Sequence, residues 1–178
     1  MLQVEVVTSE SYDDERNEFF EETYVLGLEH SLRSLSKWES MYEKPFLTDD
    51  EKTPDEMLDY IKCMTVKEDT PSDIYLHLSR ENVREINEYI GSKQTATWFK
   101  DDNKKSNREV ITAELIYYWM FSYNIPMECE EWFLNKLLTL IKVFSVKNSP
   151  QKKKSQAEIA AENRAINAQR RAKMKSKG

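Results

Sequence analysis

Residues 30–64 read HSLRSLSKWESMYEKPFLTDDEKTPDEMLDYIKCM. Leu32, Leu35, Trp38 and Tyr42 recur at steps of three and four, which places them on one face of a helix. Pro45 ends that run. Thr53-Pro54-Asp55-Glu56 then opens a second helix. Thr53 caps it, Pro54 suits the first helical position, and Glu56 completes a capping box. Met57, Leu58, Ile61 and Met64 form its inward stripe. Two helices in immediate succession predict a mainly α fold, and the breaker count agrees. With 3 Gly and 5 Pro in 178 residues, the chain lacks the turn residues that a many-stranded sheet needs.

Toward the N-terminus the period changes to two. Leu2, Val4 and Val6 share one face, and Tyr24, Leu26 and Leu28 repeat the pattern. Strands at 2–7 and 24–29 are therefore expected, paired as a small β-hairpin. The acidic stretch Glu10–Glu22, which carries Phe19 and Phe20, reads as a solvated connection. Toward the C-terminus, Thr70-Pro71-Ser72-Asp73 starts a short helix through His77. Ser79 starts another, with Val83, Ile86 and Ile90 inward and Gly91 as its stop. Asp101–Lys105 is a charged loop. Ser106-Asn107-Arg108-Glu109 is a second capping box, before the apolar run Val110–Tyr123. Apolar on most faces, that run reads as a helix central to its domain or to an oligomer. Asn124-Ile125-Pro126 breaks it. Glu128, Glu130 and Glu131 load the start of a last core helix, with Trp132, Phe133, Leu137, Leu140, Ile141 and Phe144 inward.

After Val146 the composition shifts. The expected division is an acidic helical body over 1–148 and a basic, helix-prone, mobile tail over 149–178. Residues 150–178 hold 9 Lys and Arg against 2 Glu, a net +7. The whole chain's −6 therefore leaves −13 for residues 1–149. Such a body repels nucleic acid and anionic membranes. The tail, through Lys152, Lys153, Lys154, Arg170 and Arg171, suits phosphates or an acidic protein surface, or serves only as a solubilising extension.

The start MLQVEVVTSESYDDE has neither a basic region nor a long apolar run, so no signal peptide is read there. No apolar stretch reaches the roughly 20 residues of a membrane span. Cys63 and Cys129 are expected as buried thiols rather than a disulfide. A cytoplasmic chain follows.

Catalysis finds little support. His30 and His77 lie in separate elements without partners at metal-ligand spacing, and no phosphate-binding or nucleophile-elbow motif occurs. Neither a cofactor nor a metal is expected. The unusual feature is Tyr117-Tyr118-Trp119 with Phe121 and Tyr123. It reads either as a core helix or as one whose outer face, through Tyr117, Tyr118, Trp119 and Tyr123, meets a protein partner. Tyr and Trp are over-represented in such interfaces.

Four stretches carry a resemblance. They are Leu28–Leu47 (LEHSLRSLSKWESMYEKPFL), Thr53–Thr65 (TPDEMLDYIKCMT), Glu85–Phe99 (EINEYIGSKQTATWF) and Glu109–Lys142 (EVITAELIYYWMFSYNIPMECEEWFLNKLLTLIK). Together they resemble tail assembly chaperones of long-tailed bacteriophages, over most of residues 24–155. The resemblance implies a non-enzymatic factor in the cytoplasm of a bacterial host, absent from the finished particle. Its partners would be the tape measure protein and tail tube subunits, with self-association also open. It also implies a second, longer product made by ribosomal frameshifting, and the Lys152-Lys153-Lys154 codons are a candidate slippery site. Two other classes stay open: a structural tail or head-tail protein of the virion, and a nucleic-acid-binding regulator acting through the tail.

Overall fold

The structure, a computed structural model, describes residues 1–13, 18–99, 110–148 and 156–174. It is mainly α with an N-terminal antiparallel hairpin. The elements are β1 (Leu2–Asp13), β2 (Glu18–Leu28), α1 (Leu32–Tyr42), α2 (Pro54–Met64), α3 (Arg80–Gly91), α4 (Ala113–Ser122), α5 (Leu134–Asn148) and α6 (Gln156–Met174). Short 3-10 turns lie at Ile74–His77 and Met127–Glu131. Met1–Phe144 form one compact unit and Ser145–Gly178 a second.

The hairpin is about twice as long as the alternation predicts. Val4 pairs with Leu26 and Val6 with Tyr24, while Tyr12 pairs with Phe19 near the far end. A bulge between Val7 and Ser9 shifts the register. The supposed acidic connection is therefore mostly strand. At the base, Val4, Val6, Leu26 and Leu28 are fully buried, as the period of two requires. The chain leaving α2 closes onto that base: Val66 N–H donates to the Gly27 carbonyl at 3.0 Å and Glu29 N–H to the Met64 carbonyl at 2.8 Å.

Both helices of the opening stretch form where expected. Ser31 and Ser34 exchange capping bonds at the start of α1, and Thr53 and Glu56 do so at the start of α2. Leu32, Leu35 and Trp38 are fully buried, and the Trp38 indole N–H donates to the Glu56 carbonyl at 2.9 Å. On α2 the buried residues are Tyr60, Ile61 and Met64, whereas Met57 and Leu58 are half-buried. On α3, Ile86 is fully buried and Ile90 half-buried, but Val83 is exposed.

The last core helix departs most from expectation. Glu128, Glu130 and Glu131 lie in a 3-10 turn rather than at a helix start. Trp132 is extended, Phe133 pairs with Ser31, and α5 begins only at Leu134. The change of backbone shifts the phase, so Trp132 is 40% exposed, with Lys136 Nζ 4.7 Å above its ring. Phe133, Leu137 and Ile141 are buried as predicted, and Leu140 and Phe144 are half-buried.

Candidate protein-interaction surface

Helix α4 is ten residues long and is held at both ends. It begins at Ala113, with Thr112 as its cap through Leu115 N–H. The start at Val110 that the apolar run predicts does not occur, since residues 110–112 are not helical and the first helical N–H groups are those after Thr112. The Ser106–Glu109 capping box lies outside the described residues.

At the same end sits Glu39 of α1, a carboxylate only 7% exposed. Its Oε2 accepts from Ala113 N–H at 2.7 Å and its Oε1 from Phe46 N–H at 2.8 Å. A carboxylate is favoured at a helix N-terminus, where unpaired N–H groups converge. One side chain thereby ties α1, the loop after it and α4 together. Nothing in the residue pattern distinguishes Glu39 from a solvated acid; only the approach of α4 reveals it.

The other end closes in a Schellman motif. Asn124 takes the left-handed conformation, φ 52°. Ile125 N–H donates to the Met120 carbonyl at 2.8 Å and Asn124 N–H to the Phe121 carbonyl at 3.2 Å. Ile125 is buried, and Pro126 follows.

Between these anchors α4 buries only Ala113, Ile116 and Met120. It is not enclosed by its domain. Tyr118 is 64% and Phe121 62% exposed. The half-buried members of the aromatic run have assigned partners. Tyr117 donates its hydroxyl to Glu130 Oε2 at 2.7 Å, and burial together with that carboxylate pushes its pKa up. Tyr123 stacks on Phe144 with ring centroids 5.6 Å apart. Trp119 is half-buried against the core. Of the predicted contact residues, Tyr118 thus stands furthest out, and Phe121, outside the predicted set, stands beside it.

Beside α4 runs an open groove of about 610 Å³ between α1 and α2, walled by Tyr117. Met41 and Cys63 give it an apolar lining, their sulfurs 3.9 Å apart. Partial burial raises the Cys63 pKa. Cys63 and Cys129 are both free thiols; Cys129 is buried and Cys63 half-buried. Of the histidines, His30 is buried and shares a 2.6 Å hydrogen bond between Nδ1 and the Tyr60 hydroxyl. His77 is exposed.

Elsewhere, Tyr12 and Phe19 meet at 4.9 Å near the hairpin tip, both exposed. In the second unit, Arg170 and Arg171 are exposed on α6. Lys152, Lys153 and Lys154 lie outside the described residues. Among the described residues no group of His, Cys, Asp or Glu has the arrangement of a metal site, and no helix is long and apolar enough to cross a membrane.

The class defined here is a mainly helical protein with an N-terminal hairpin and an exposed aromatic crest beside an open groove. Compared with known protein families, curated proteins and solved structures, the chain matches none.

Proposed function

We propose that this protein is a non-enzymatic assembly chaperone of bacteriophage tails, which binds the tape measure protein and promotes growth of the tail tube around it. The observation that carries this reading is the exposure of Tyr118 and Phe121 on a helix clamped at both ends. Large aromatic side chains on a rigid support lose little entropy on binding and contribute much of the energy of protein interfaces. The four stretches that resemble tail assembly chaperones give this contact its biological setting. The chaperone would act in the cytoplasm of the host and leave the particle before maturity.

The test is co-expression with the tape measure protein encoded in the same genome. The expected result is a soluble complex that co-purifies, and that is lost in the Tyr118→Ser/Phe121→Ser variant while the variant stays folded. Recovery of the protein in stoichiometric amounts from purified virions would instead make it a structural component.

The exposed Arg170 and Arg171 of α6 favour a second reading, nucleic-acid binding through the tail. It predicts a gel shift that weakens steeply with salt.

A further inference from the structure

The groove between α1 and α2 differs in charge from the protein around it. Residues 1–149 carry −13, yet the groove is lined by Arg33, Lys37 and Lys62 against one carboxylate, Asp59. Two of these cations are already engaged. Arg33 pairs with Glu131 at 2.6 Å and Lys62 with Asp59 at 2.7 Å. Lys37 is exposed, and among the described residues no carboxylate lies within ion-pair distance of it. Lys37 lines the groove together with Cys63.

The apolar part of the same surface is drawn from three helices. Met41 follows Lys37 by one helical turn on α1 and is 60% exposed. Cys63 lies across from it, and Tyr117 forms the wall. Phe121, four residues after Tyr117, continues that wall outward along α4. Methionine adapts its shape to whatever packs on it. The groove is open rather than enclosed, which suits a strip of polypeptide better than a small molecule buried on most sides.

We infer that this groove receives an amphipathic helix whose apolar face packs on Met41, Cys63, Tyr117 and Phe121, and whose flank places a carboxylate against Lys37. This is helix-in-groove recognition, with local charge rather than net charge setting the preference. The inference rests on the protein-binding reading above and specifies the chemistry of the bound segment.

The test uses two synthetic helical peptides of about 18 residues, five turns of helix. They share one Leu-rich face and differ only in carrying Glu or Lys along its flanks. Fluorescence anisotropy with the full chain should show the Glu-flanked peptide binding at least about tenfold tighter, a difference of about 1.4 kcal/mol. Lys37→Glu, at an exposed site with no ion pair to lose, should abolish or invert that preference. Met41→Asp should weaken both peptides. Preference of the wild-type protein for the Lys-flanked peptide, which the net charge of the body alone would produce, overturns the inference. So does binding of neither peptide, or concentration-dependent self-association that Met41→Asp removes, which would make a second copy the occupant. Co-purification of the tape measure protein that is unchanged by Lys37→Glu and Met41→Asp would also refute the groove while leaving the chaperone reading intact.

Discussion

Helices α1 and α4 pack against each other and are nearly equal in length, yet they divide their surfaces in opposite ways. Helix α1, LRSLSKWESMY, is the more polar; it fully buries Leu32, Leu35 and Trp38 and leaves Met41 near its end exposed. Helix α4, AELIYYWMFS, is far more apolar and leaves Tyr118 and Phe121 in solvent. Apolar content therefore does not measure burial. A helix with one apolar stripe has one way to face the core. A helix that is apolar on most faces presents hydrophobic surface wherever its neighbours stop, and here the neighbours fully bury only Ala113, Ile116 and Met120.

The two helices differ most at Trp38. Its ring is fully buried, stacks on Tyr42 at 4.6 Å, meets Phe46 at 4.9 Å and ties α1 to α2 through the Glu56 carbonyl. Trp38→Ala is expected to cost about 3–5 kcal/mol, read as a lowered midpoint in denaturant titration. A loss below about 1 kcal/mol would mean that α1 is no more buried than α4.

Acidification should act next, through His30, which immediately precedes the Ser31 cap of α1. Burial holds its pKa at about 4, below the ordinary 6.5. Between these values the unfolded chain takes up a proton that the folded chain refuses. The contribution is fully present above pH 6.5, declines as pH falls, and levels off below about 4. It amounts to about 3 kcal/mol at its limit. The measurement is stability against pH from 7 to 5 for the wild type and His30→Gln, with the variant expected to lose most of that slope.

Glu39→Gln tests the link between the two helices. The amide keeps one acceptor but turns a donor toward the second backbone N–H, so either Ala113 or Phe46 loses its partner. A loss of about 1–3 kcal/mol is expected, together with faster hydrogen exchange in the first turn of α4.

How much of this was legible in the residues follows from where the chain marks its own boundaries. Thr53-x-x-Glu56 and the Asn124-Ile125-Pro126 stop act locally, so they were readable without the fold. The far half of the hairpin was not. There Glu10 faces Glu21 and the branched residues give out, so the pattern looks like a loop. Trp132 was misplaced because a 3-10 turn and an extended residue intervene before Leu134, and a helical period cannot be carried across such a break. The exposed side of α4 was illegible for a different reason. A run whose few polar residues, Glu114 and Ser122, sit near its two ends has little phase to read between them, so a core helix and an interface helix fit Tyr117–Tyr123 equally. Glu39 meets Ala113, 74 residues further on, and the groove sets Met41 against Cys63, 22 residues further on, contacts that no local pattern reports.

The smallest expected effect is the most informative about function. Tyr118→Ala should remove few native contacts, since 64% of the side chain already lies in water. Alanine is also the better helix former, by a few tenths of a kcal/mol, which offsets part of what the half-covered ring contributes. Phe121→Ala, at 62% exposure, follows the same reasoning. Each variant should therefore unfold within about 0.5 kcal/mol of the wild type, in contrast to Trp38→Ala one helix away. Adjacent exposed aromatic side chains form an apolar patch, and where such patches are extensive they mark interaction surfaces. Near-neutral stability combined with lost capture of the tape measure protein would identify the crest as a binding surface. A loss of 2 kcal/mol or more, on the order of a buried aromatic, would return Tyr118 and Phe121 to the core and remove the observation on which the chaperone reading rests.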